Sequence, residues 1–243
     1  MSTGQSVQSV HRGMQILELL AERGSMTASM IASELAIHQS SASRLLKSMM
    51  DYGFIYKPTF HSFALDYGVV LFAGKALESF PLIQQSPLVS VDLYKRYGYG
   101  SALGVLFRQR LVYLDRCAKG KFVLVDNSIF PLHMSSIGRL LAFRRGRTEA
   151  LKIFSDSIHQ SKSQEDAEAI YEEIRASLSA HGFLYMREKY HNRFNAAWDF
   201  EFQSRRVALA LFSEEEAVSA EVIYPIIRAA VRSITGKESD CCG

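Results

Sequence analysis

Apolar residues recur along this chain first with the period of a helix and then with that of a strand. The positions Val10, Met14, Leu17, Leu20 and Ala21 follow i, i+4, i+7, i+10 and i+11, one face of a helix ending near Gly24. Thr27 is placed to cap a second, short helix in which Ile31 and Leu35 share a face, although Met30 stands where a capping box wants Glu or Gln. From Ala42 the set Ala42, Leu45, Leu46, Met49 and Met50 runs i, i+3, i+4, i+7, i+8. This predicts a third helix that starts near Ser40 and stops before Gly53. The runs 54–56 and 63–65 flank a polar turn and predict a strand pair. Three helices and a hairpin make a winged helix-turn-helix over residues 1–66.

Residues 67–81 read as a linker helix closed by Pro81. Beyond it, helix is expected over 82–97, 134–145, 148–155, 163–180 and 214–234, the last opening on three acids as the helix dipole favours. Strand is expected over 101–107, 111–116, 122–125, 182–189, 196–202 and 206–212. Strands interleaved with helices predict a mixed α and β second domain over 82–236, followed by a tail at 237–243. The fold class is therefore α+β.

Composition agrees with a folded protein: of 243 residues 48% are hydrophobic and 22% charged, which excludes disorder as the main state. The formal net charge of +3 hides an uneven distribution, +1 over 1–75, −1 over 76–80, +7 over 81–150 and −4 over 151–243. A nucleic-acid surface in the first segment must therefore come from a few placed cations. Cys117, Cys241 and Cys242 cannot build a disulfide framework, which suits a reducing, cytoplasmic setting. The first ten residues lack a signal-peptide pattern, and no apolar run approaches the roughly 20 residues that span a bilayer.

The face of the third helix opposite its apolar stripe presents Ser40 or Ser41, Arg44, Lys47, Ser48 and Asp51. A helix-turn-helix lays its second helix in the DNA major groove, with the residues near that helix's start facing bases and phosphates. His38, Gln39, Ser40, Ser41, Ser43, Arg44 and Lys47 suit that work: hydroxyls for phosphate, Gln39 for adenine, Arg44 for guanine or phosphate. Lys57 and His61, at the hairpin turn, can reach an adjacent groove or backbone. An ordinary solvated helix face would carry the same two cations, and capping alone would account for Thr27.

Motifs of catalysis are missing. There is no HExxH, P-loop, GxSxG or Cys and His cluster, and the glycine-rich 98–104 stretch does not fit a dinucleotide fingerprint. No catalytic residue, metal site or cofactor is expected, and His133 and Cys117, without partners at catalytic or metal-ligand spacing, read as structural.

Several runs together resemble IclR-type bacterial transcription regulators. They are Ser9-Val10-His11-Arg12, Ile16 to Leu20, Thr27, Ile31-Ala32, Leu35, Ser40 to Leu46, Gly53-Phe54 and Leu71 to Gly74, then Val112 to Arg116 and Pro131 to Arg139. The resemblance covers nearly the whole chain. It implies DNA contacts at Arg12 and Thr27 in addition to those above, and a GAF-like domain that binds a small effector and assembles dimers or tetramers. Where the family usually has Gly before the recognition helix this chain has Ala36, and Leu65-Asp66 replaces Leu-Gly after the wing.

The start of the helix after Pro131 favours an anionic group, so Ser135, Ser136 and the Ile137 amide are expected to hold an effector carboxylate. Family position adds Met186, Phe194, Ala196, Ala210 and Phe212 as the lining, with Phe194 and Trp198 reshaping the pocket. Ser135 as a plain helix cap is the competing reading. Arg139, Arg144, Arg145 and Arg147 can attract anions, touch DNA, pair across subunits or form a face offset by the acidic segment. The functional expectation is a ligand-responsive regulator of a catabolic operon, binding a near-palindromic operator as an oligomer. The alternative is a GAF-like sensor or enzyme whose winged helix makes protein contacts.

Overall fold

A computed structural model describes residues 7–126, 130–187, 193–213, 215 and 218–236 of the chain. Its contacts divide it into two compact units, Met1–Ser79 and Phe80–Gly243.

The first unit runs α1 (Gln8–Arg23), β1 (Met26–Thr27), α2 (Ala28–Glu34), α3 (Gln39–Asp51), β2 (Ile55–Tyr56), β3 (Ser62–Leu65) and α4 (Tyr67–Ser79). Ile16, Leu20, Ile31 and Leu46 from the three helices close over Met26, Ile55 and Phe63 from the strands. The wing has a third strand that the sequence pattern did not announce. Two residues are too short for a period, and β1 exists because Met26 and Thr27 pair with Phe63 and Ser62 of β3. Thr27 caps α2 as expected, its Oγ1 accepting the Met30 N–H at 3.2 Å.

Ala36 takes the left-handed conformation, φ 49°, in the turn from α2 to α3. The turn forms without glycine. Asp66 also fits its place after the wing: its carboxylate accepts the Tyr67 N–H at 2.7 Å at the start of α4, and its own N–H bonds Phe54 O. Gly68 packs against the end of α3, donating to Gly53 O at 3.0 Å; a Cβ there would lie 2.3 Å from that oxygen.

The second unit opens with α5 (Pro81–Tyr97), in which Pro81 is the first helical residue rather than the end of α4. Three antiparallel strands follow, β4 (Gly100–Phe107), β5 (Arg110–Ala118) and β6 (Lys121–Asp126). A 3-10 turn (Leu132–Met134) leads into α6 (Ser136–Phe143), α7 (Arg147–Ser161) and α8 (Ala167–His181). Then come β7 (Leu184–Arg187), β8 (Phe194–Phe202), β9 (Arg205–Ser213) and α9 (Ala220–Thr235). The six-stranded sheet has the order β6-β5-β4-β9-β8-β7 and is antiparallel throughout.

Helices cover both faces of this sheet. Leu82, Leu93, Ile223, Ile227 and Val231 of α5 and α9 pack on one side with Phe194, Trp198 and Leu209. Ile137, Leu140, Phe154 and Ile174 of α6, α7 and α8 pack on the other with Ala197, Ala208 and Ala210. The closing helix starts at Ala220, not 214, with Glu221 as the acid of its first turn. The tail, with Cys241 and Cys242, lies outside the described residues. The expected fold class, an N-terminal winged helix-turn-helix and a mixed α and β C-terminal domain with a central sheet, is the one observed, and α4 belongs to the first unit.

Candidate functional site

In the first unit α3 is anchored by Ala42 and Leu46, both fully buried, so its opposite side is fixed outward. Gln39, Ser40, Ser43, Arg44 and Lys47 are exposed on it; His38, at the N-cap, is also exposed and Ser41 is half-buried. The helix has no acidic residue in its first turn, so the partial positive charge of its start is uncompensated there. Ser48 is spent differently: its Oγ donates to Arg44 O at 3.2 Å.

At the wing, Lys57 is exposed and its Nζ lies 5.7 Å from the Phe60 ring centre and 5.0 Å from that of Phe63. His61 stands edge-on to Phe60 at 4.9 Å. Aromatic faces thus hold the wing's cation at the turn. Arg12 is half-buried on α1, and Thr27 is half-buried with its hydroxyl engaged in the cap.

The second unit brings together part of the expected effector lining. Ser135 is the N-cap of α6: its Oγ accepts the Gly138 N–H at 3.3 Å and the Tyr113 hydroxyl at 2.9 Å. Ser136 Oγ donates to Asn195 Oδ1 at 2.6 Å. The first-turn amides of Ser136 and Ile137 precede the reach of intrahelical bonding. Gly138 is required by close packing, since a Cβ would lie 2.4 Å from Leu132 O. Met186, Ala210 and Phe212 share this side of the sheet. Phe212 lies across Gly100, where a Cβ would meet its ring at 2.3 Å.

Phe194 and Ala196 are not part of this group. Both are buried on the opposite face, Phe194 edge-on to Tyr99 at 5.1 Å, and Trp198 is there too, against Phe183 and Tyr224. A strand turns successive side chains to opposite faces, so the expectation for β8 was out of phase by one residue. Asn195 and Ala197 are the residues that face α6. The signal was present in the strand itself, where the bulky Phe194, Trp198 and Phe200 alternate with the polar Asn195, Asp199 and Glu201.

Tyr113 also escaped sequence reasoning. Leu103 pairs with Asp115 and Gly104 with Tyr113, so Leu114 is an extra residue opposite one step of β4. This bulge sends Tyr113 toward α6 and Asp115 toward α5. There Ser90 Oγ donates to Asp115 Oδ1 at 3.3 Å and the Ser86 hydroxyl is turned toward the same carboxylate, while the buried hydroxyl of Ser101 has no hydrogen-bond partner among the described residues. Burial pushes the Asp115 carboxyl up from its ordinary range, although Ser86, Ser90 and the Leu103 backbone favour its charged form. Burial, aided by Asp115, also pushes the Cys117 thiol up.

The basic cluster of the middle segment is largely neutralised within the unit. Arg139, 7% exposed, bonds His133 O, Glu165 at 2.9 Å and Glu173 at 3.3 Å. Arg144 grips Asp199 at 2.9 Å, and Arg147 pairs with Glu168 at 2.7 Å. His133 has neighbours that are distant in sequence. Its Nδ1 is 2.9 Å from Ser157 Oγ, and its Nε2 is 3.2 Å from Glu165, close enough for an ion pair although the angle is not that of a hydrogen bond. Burial holds its pKa down, with Glu165 opposing and Arg139 reinforcing that effect, so the ring is a neutral packing element.

Among the described residues no cluster of three or more His, Cys, Asp or Glu side chains is placed to hold a metal, and no helix is long and apolar enough to cross a membrane. Residues 9–58 match the model of the IclR helix-turn-helix domain. No curated protein sequence matches the chain significantly. Solved structures do. An IclR-type transcriptional regulator from Silicibacter aligns over 96% of this chain and 98% of its own, at 19% identity and a TM-score of 0.76. An IclR-family regulator from Brucella abortus aligns over 96% and 93%, at 16% identity and a TM-score of 0.71. An IclR homologue from Microbacterium hydrocarbonoxydans, complexed with 4-hydroxybenzoate, aligns over 95% and 98%, at 20% identity and a TM-score of 0.64. Residues 9–58 are thus an IclR-type helix-turn-helix domain, and over nearly its whole length the chain shares the fold of the solved IclR-family regulators.

Proposed function

We propose that this protein is a ligand-responsive, DNA-binding transcriptional regulator whose α3 reads the major groove of a near-palindromic operator. The observation that carries this reading is the outward face of α3, where Gln39, Ser40, Ser43, Arg44 and Lys47 are exposed while Ala42 and Leu46 lock the opposite side. The wing, with Lys57 and His61, reaches the flanking backbone, and Arg12 supports it from α1. One such helix reads too few base pairs for specificity, so the operator is bound by a homodimer or homotetramer.

The effector is a small organic or aromatic acid. Its carboxylate is held by Ser135, Ser136 and the Ile137 amide, and Met186, Ala210 and Phe212 supply apolar wall. Asn195 joins them as a polar group on the β8 side, hydrogen-bonded to Ser136 at 2.6 Å. The ligand named for the Microbacterium homologue, a hydroxybenzoate, belongs to this chemical class.

The test is fluorescence anisotropy with duplexes from the chain's own upstream region against a scrambled duplex. Wild type binds the former selectively and with a steep salt dependence. Arg44→Ala weakens that binding by about 1–3 kcal/mol if Arg44 makes a bidentate base contact. Equal affinity for both duplexes overturns the reading.

A further inference from the structure

The outer edge of the large sheet is unlike the edge of a solitary domain. β6 is the terminal strand of the order β6-β5-β4-β9-β8-β7, so among the described residues one side of its backbone has no neighbouring strand. Its apolar run Phe122-Val123-Leu124 alternates between the two faces of the sheet, yet all three residues are exposed, at 36%, 46% and 40%. Proteins that keep such an edge to themselves shorten it, charge it inward or place proline in it. Here α5 reaches β6, with Tyr94 against the turn at Gly120, yet leaves the run exposed, and Phe107, at the end of β4, is 57% exposed.

The pattern along the strand is self-complementary. Lys121 begins β6 and Asp126 ends it, with four apolar residues between. Antiparallel pairing of two copies about a two-fold axis brings the lysine end of each strand to the aspartate end of the other and sets the apolar run against itself. It also keeps the two Lys119–Lys121 turns at opposite ends of the joint, away from each other. An isologous interface of this kind closes on itself and buries the edge in both protomers. We propose that β6 pairs with β6 of a second copy of this chain, joining the two sheets edge to edge.

The test uses the full-length chain and no DNA, so its outcome is independent of the operator reading. Hydrogen exchange followed by mass spectrometry at about 1 and 100 µM should show backbone amides of 121–126 becoming slower to exchange as association proceeds. Mass photometry and sedimentation should show Val123→Lys losing one association step, with its largest species half the mass of the wild type's. An unchanged melting temperature at low concentration would confirm that the variant folds. Leu124→Lys, which places the charge on the other face, gives the same loss. Rapid exchange of 121–126 at both concentrations, or unchanged mass in both folded variants, overturns the proposal.

Discussion

Ala36 holds a left-handed backbone, φ 49°, which costs a residue with a Cβ about 1–2 kcal/mol relative to glycine. Glycine gives back about 0.4–1 kcal/mol by loosening the unfolded chain. Ala36→Gly is therefore expected to stabilise the first unit slightly, by about 0.5 kcal/mol, read as a higher urea midpoint at constant slope. Asp115 gives a pH prediction. Its folded pKa is raised above the unfolded value by burial, so the neutral acid is the form the fold prefers. Its contribution is complete below the unfolded pKa of about 3.9 and is lost as pH rises through the raised folded value. Asp115→Asn keeps the acceptor for Ser90 and removes the titration. Its melting temperature should exceed that of wild type by a margin that widens with pH above about 4. A constant margin across pH would show that Asp115 titrates normally. Sequence exposed Asp115 as part of a family signature, but its burial depends on a bulge that no residue pattern in β5 announces.

Among the elements, α2 and α6 both begin with a side-chain cap, and the consequences differ. Thr27→Ala removes the acceptor of the Met30 N–H and should cost about 1 kcal/mol in chemical denaturation. Loss of operator affinity beyond that expected from instability would reveal a direct DNA contact at Thr27. In α3, Lys47→Ala should weaken binding to every duplex alike and lower the slope of log affinity against log salt by about 1, the signature of one lost phosphate contact. In α6, Gly138→Ala puts a Cβ against Leu132 O and is expected to destabilise the second unit by about 1–3 kcal/mol. The helical elements were largely legible because their apolar stripes repeat over several turns. β1 was not, being two residues long and formed by its partner. The start of α9 was misplaced because acids at 214–216 imitate a helix N-terminus, whereas packing against the sheet begins with Ala220 and Ile223.

For the whole molecule, the proposed effector site gives the most direct experiment. A ligand bound only by the folded state raises the melting temperature with concentration. A thermal-shift series of aromatic and aliphatic carboxylic acids should identify members that do so, and Asn195→Leu should abolish the shift while the unliganded protein still folds. A shift of undiminished size in that variant would move the ligand away from Ser136 and Asn195. The charge distribution is also partly explained at this scale: Arg139, Arg144 and Arg147 are matched by acids from the C-terminal segment, so these three do not make a free anion-docking face. By itself the sequence determined the helical periodicity of the DNA-reading unit, the polar face of α3 and the helix start at Ser135, because these follow from spacing along one element. Tertiary structure decided which side of β8 faces α6, where the bulge in β5 turns Tyr113 inward, and which acids answer the arginines. Such choices depend on register and on contacts between residues far apart in the chain. A shift of one residue there exchanges the two faces of a strand without altering its local pattern.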